Sequence, residues 1–125
     1  MVPSTEPIVY CLTRDRNLAG ALEERLAGAL PFFYNDAARL HQALMLRAPD
    51  FVVIDTAAIR PEYGDAGLGP VVAFVRERAP AARVAVKPAP GAERLVAAEA
   101  GPGAELIPAD HPGTVAAVAT ACGCP

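Results

Sequence analysis

The most constraining feature of this chain is an alternation, repeated five times, between a short apolar run and a stretch whose apolar residues recur at helical spacing. Pro7 to Leu12 reads Pro-Ile-Val-Tyr-Cys-Leu, continuous and rich in β-branched residues, as a strand covered on both faces requires. Thr13-Arg14-Asp15-Arg16-Asn17 then supplies N-cap residues, and Leu18, Ala21, Leu22 and Leu26 follow at helical spacing up to Gly28. Leu30 to Tyr34 is a second, aromatic strand, and Ala37, Leu40, Ala43 and Leu44 mark a second helix that ends by Ala48-Pro49. Phe51-Val52-Val53-Ile54-Asp55 is the clearest strand and carries an acid at its carboxyl end. A polar stretch from Thr56 to Gly69 precedes a third helix marked by Val71, Val72, Phe74 and Val75. Ala82 to Lys87, Ala92 to Ala100, Ala104 to Ile107 and Thr114 to Ala121 then read as strand, helix, strand and helix.

Strict strand–helix alternation implies a parallel sheet with right-handed crossovers and helices on both faces. In such sheets chemistry sits outside the carboxyl ends of the strands. Those ends carry Thr13, Arg14 and Asp15 after the first strand, Asp55 after the third, Lys87 after the fourth and Pro108 after the fifth. At 125 residues the chain suits a single domain spanning residues 1–125, with a core of about 7–121.

Just over half the residues are apolar and the net charge is −3, with acids and arginines interspersed. No basic face for a phosphate backbone is visible, so nucleic acid is not an expected direct partner. No run approaches the roughly 20 apolar residues that span a bilayer, and Met1 to Glu6 lacks the pattern of a signal peptide. The expectation is therefore a cytoplasmic protein with no membrane partner. Cys11 lies in an apolar run, and Cys122 and Cys124 form a Cys-x-Cys near the C-terminus. They are too few for a disulfide framework and have no second ligand pair for zinc. His41 on the second helix and His111 in a turn have no ligand cluster around them. Ser4 is the only serine, and no Gly-rich phosphate loop follows the first strand, which argues against a serine hydrolase and a flavin or nucleotide site of the usual kind.

Five βα units in this length, Phe-Val-Val-Ile-Asp closing the third strand, Ala100-Gly101 before the fifth and Pro108 just past it together resemble the receiver domain of bacterial response regulators. The resemblance covers roughly residues 7–121. It implies a (βα)5 flavodoxin-like, receiver-like three-layer α/β sandwich with a five-stranded parallel sheet. It also makes Asp55 the equivalent of the phosphoacceptor, which in that family takes a phosphoryl group from a histidine kinase with Mg²⁺ held by an acidic pair after the first strand. Here Thr13 and Arg14 stand where the family has that pair, and Asp15 falls one position late. Ile107 replaces the family's lysine, while Pro108 keeps its proline. No Ser/Thr stands in Ala85-Val86-Lys87, and no aromatic in Ala104-Glu105-Leu106.

A guanidinium at Arg14 cannot coordinate a metal but could pair with Asp55 in its place. Lys87, the chain's only lysine, is the other candidate cation for the pocket, and an acid such as Asp55 also commonly caps the turn after its strand. The expectation is a non-enzymatic pseudo-receiver with no cofactor, acting by protein–protein contact or self-association as a homodimer, with the last two helices as its contact face. Two alternatives stand beside it. One is a working receiver phosphorylated on Asp55, with Asp15 and Asp36 improvising a Mg²⁺ site. The other is a small regulatory domain that binds an anion between Arg14 and Lys87.

Overall fold

The computed structural model describes residues 6–59 and 67–123. The chain is an α/β fold with five parallel strands, β1 (Ile8–Leu12), β2 (Leu30–Tyr34), β3 (Phe51–Asp55), β4 (Arg83–Lys87) and β5 (Ala104–Leu106). Their order across the sheet is β2-β1-β3-β4-β5. The helices are α1 (Arg16–Arg25), α2 (Ala37–Leu46), α3 (Leu68–Arg78), α4 (Glu93–Ala100) and α5 (His111–Ala121). This is the flavodoxin-like (βα)5 arrangement that the alternation requires. Among the described residues, no helix is long and apolar enough to cross a membrane.

The sheet separates two cores. Tyr10, Leu12, Val52, Ile54, Val84 and Val86 face α2, α3 and α4, whereas Val9, Cys11, Phe51, Val53 and Ala85 face α1 and α5. Side chains alternate between faces with a period of two, so even-numbered residues of β1, β3 and β4 serve one core and odd-numbered residues the other. That parity positions the site described below. The inner strands β1 and β3 are buried along their whole length, which is why their sequences read as unbroken apolar runs.

Helix boundaries follow from caps. Asp15 accepts hydrogen bonds from the backbone N–H groups of Asn17 and Leu18 and opens α1, and Asp36 accepts from Arg39 N–H and opens α2. Asp110 accepts from Gly113 N–H, so α5 begins at His111, with Pro112 in its first turn, rather than at Thr114. His111 is therefore helical and not in a turn. After β3 the chain makes a 3₁₀ turn over Thr56–Ala58 and buries Ile59. Residues 60–66, in the middle of the polar Thr56–Gly69 stretch, lie outside the described residues, as do Ser4 and Cys124.

β2 is an edge strand whose Leu30 and Phe32 are nearly half exposed. Leu30 N–H donates to the Pro7 carbonyl of the β1 side, so position 31 faces the open edge. There Pro31 has no N–H to offer, which blunts the edge against pairing with another strand.

Candidate functional site

Thr13, Asp55 and Lys87 follow the odd-numbered parity and meet at the carboxyl ends of β1, β3 and β4. The register places Asp55 of β3 beside Lys87 of β4, and Lys87 Nζ stands 3.8 Å from Asp55 Oδ1. The Asp55 side chain is 5% exposed and that of Lys87 15%, so the pair is largely withdrawn from water. Thr13, itself buried, donates its hydroxyl to Asp55 Oδ2 at 2.8 Å, and its Oγ1 accepts from the Asp15 backbone N–H at 3.1 Å. Asp55 Oδ1 also accepts from Ala57 N–H at 3.2 Å, capping the 3₁₀ turn. Across the same strand ends, the Thr56 hydroxyl donates to the Lys87 carbonyl at 3.0 Å. One buried carboxylate is thus satisfied by a cation, a hydroxyl and a backbone N–H, as a buried charge must be.

The anticipated Arg14–Asp55 pair is not formed. Arg14 follows Thr13, so its side chain takes the opposite side of the extended chain, and its Nε donates to the Asn35 carbonyl at 2.8 Å on the exposed side of the β2 end. The two cations of the anion-binding alternative have different partners, Asp55 for Lys87 and the Asn35 carbonyl for Arg14.

Nor does the donor set suit Mg²⁺, which takes oxygen ligands and keeps several waters. Asp55 is buried against an ammonium. Oδ1 of Asp15 and Oδ1 of Asp36 are both engaged as helix caps. Among the described residues, no three His, Cys, Asp or Glu side chains gather as a metal would need. Ile107, where the resemblance implies a lysine, is buried in the α1/α5 core. Pro108 stands exposed, and the loop it starts is held by the buried Thr114, whose hydroxyl reaches the Pro108 and Asp110 carbonyls. The switch-type positions are filled by Ala85 and Val86, both buried, and by the Ala104–Leu106 strand.

His41 is exposed, but its ring lies on Phe74 of α3 with centroids 3.5 Å apart. Burial pushes the Cys11 thiol far up from its ordinary value, with Cys122 adding to the effect, which leaves Cys11 protonated and inert.

Sequence reasoning missed the roles of the two threonines. Thr13 was weighed only as a lost metal ligand, and Thr56 not at all, although a hydroxyl beside a strand-end acid is a readable signal. No family model matches the chain, and no curated protein matches it.

Proposed function

We propose that this chain is a pseudo-receiver, a cytoplasmic signalling module of the receiver type that works without aspartyl phosphorylation and acts by contact with a protein partner or a second copy of itself. The observation that carries the reading is the state of Asp55. Phosphoryl transfer to a carboxylate needs a metal to neutralise two approaching negative groups. Here the carboxylate instead meets Lys87 Nζ at 3.8 Å and the Thr13 hydroxyl at 2.8 Å. These groups occupy both oxygens from protein donors. A lysine from β4 takes the electrostatic role of the cation, and among the described residues no three His, Cys, Asp or Glu side chains gather to build a Mg²⁺ shell.

With the chemistry set aside, function rests on surface. The α4–β5–α5 side carries Leu95 at 55% and Leu106 at 40% exposure, which fits the contact face of a receiver-type module.

The test is a Mg²⁺ titration of the full chain followed by amide shifts. Saturable shifts centred on Thr13, Asp55 and Thr56 that vanish in Asp55→Asn would support a working receiver and overturn the proposal. Shifts that stay small and unsaturated are the expected result.

A further inference from the structure

Between α2 and α3 a groove of about 300 Å³ runs from the surface down to the core, at the lower end of the size range of small-molecule sites. Leu40, Leu44 and Val75, all buried, form its floor. Its rim is His41 on one helix and Pro70, Val71 and Phe74 on the other. Protein interiors hold few voids larger than a water molecule, so a groove that reaches fully buried side chains leaves apolar walls against solvent. An apolar cavity of about 150 Å³ is enough to hold a benzene ring, and this groove has room for one ring and a short substituent.

The polar groups at the rim decide the chemistry. His41 is the only polar side chain that lines the groove, and no carboxylate does. Its ring lies on Phe74, centroids 3.5 Å apart, and the guanidinium carbon of Arg78, one turn further along α3, stands 5.8 Å from the centroid of the same ring. Both basic groups are exposed, and among the described residues neither forms a hydrogen bond or an ion pair; their contacts are with Phe74. Two basic side chains thus converge on one aromatic ring at the mouth of an apolar groove, with their donors unused. An imidazole donates to a carboxylate whether neutral or charged, and a guanidinium beside it adds positive potential. A flat apolar body carrying one carboxylate satisfies both the walls and the rim, and Phe74 offers it a ring to pack against.

We propose that this groove binds a small aromatic carboxylic acid, with its ring seated among Leu40, Leu44 and Val71 and its carboxylate on His41, supported by Arg78. The site is independent of Asp55 and of the pseudo-receiver reading. It would give the module a ligand input in place of phosphorylation.

The experiment uses the full chain and two probes of the same shape, phenylacetate and its uncharged amide, phenylacetamide, with amide shifts giving both the site and the affinity. Phenylacetate is expected to bind saturably with a Kd of about 1 mM, in keeping with so small a ligand, with shifts centred on His41, Leu44, Val71 and Phe74. Phenylacetamide should bind about tenfold more weakly. His41→Phe keeps a ring on Phe74 but removes the donor, and should weaken phenylacetate about fivefold; Arg78→Gln should weaken it about twofold. Neither substitution should change the affinity for phenylacetamide. Both side chains are exposed, so these variants should melt as the parent does. Val71→Phe places a ring in the groove and should abolish binding of both probes. Absence of saturable phenylacetate binding, equal affinities for acid and amide, a preference unchanged in both rim variants, binding retained in a folded Val71→Phe, or shifts centred on Leu95 and Leu106 instead would each overturn the proposal.

Discussion

Replacing Lys87 with methionine leaves the Asp55 carboxylate in place and removes its cation. At 3.8 Å and an effective dielectric of about 20, the attraction between the two charges is roughly 4 kcal/mol. Part of that is offset by the cost of withdrawing Lys87 from water, and the bonds from Thr13 and Ala57 remain. A loss of about 2–3 kcal/mol is therefore expected, below the 3–5 kcal/mol typical when a fully buried pair is broken. Asp55→Asn offers one acceptor oxygen where the bonds from Thr13 and Ala57 use two, so one of them is lost while Lys87 keeps some access to water, and about 2 kcal/mol is expected. With both substitutions the buried charge and its partner disappear together, and the double variant should lose less than the sum by about 1–2 kcal/mol. Urea unfolding of the four proteins measures this coupling. Additivity within about 0.3 kcal/mol would mean that the two side chains do not interact in solution, and the cation-locked description of Asp55 would fail.

Val53 is 3% exposed in the middle of β3, and Val53→Asp should abolish cooperative melting, because it buries an unpaired charge at a cost of about 4 kcal/mol or more; a variant with the parent's midpoint would contradict the sheet assignment. Asp15→Ala removes the cap of two N–H groups of α1 and should cost about 1 kcal/mol in urea unfolding, whereas no loss would show that the cap is not formed. Burial raises the Cys11 thiol above its ordinary 9.0, so its stabilising share is complete below that pH, where folded and unfolded states both hold the proton. It is lost as pH rises above 9, because the unfolded chain deprotonates first. Tyr10 and Tyr34, raised chiefly by burial from 10.0, add to the decline at higher pH. Melting between pH 8 and 10 should fall less steeply in Cys11→Ala than in the parent, and parallel curves would refute the assignment.

The sheet was readable because its inner strands are sandwiched between helices, and burial on both faces leaves no room for polar residues in Ile8–Leu12 or Phe51–Ile54. Element ends were less readable. α5 starts at His111 because Asp110 caps it, and a cap followed by Pro112 is weaker in the sequence than an apolar repeat. In the candidate site, Asp55 and Lys87 could be named from their strand-end positions. Their pairing depends on the β3–β4 register, which a linear sequence does not state. Arg14 was assigned to the wrong neighbour for a related reason. Proximity of the strand ends makes contact with Asp55 reachable, but the alternation of side chains gives that direction to Thr13.

The central claim, that Asp55 is held by protein groups and does not accept a phosphoryl group, is tested most directly by intact-mass measurement after incubation with acetyl phosphate and Mg²⁺. The account expects parent and Asp55→Asn to give the same unmodified mass, and no beryllofluoride adduct under matching conditions. A gain of one phosphoryl group in the parent that is absent in Asp55→Asn would contradict it.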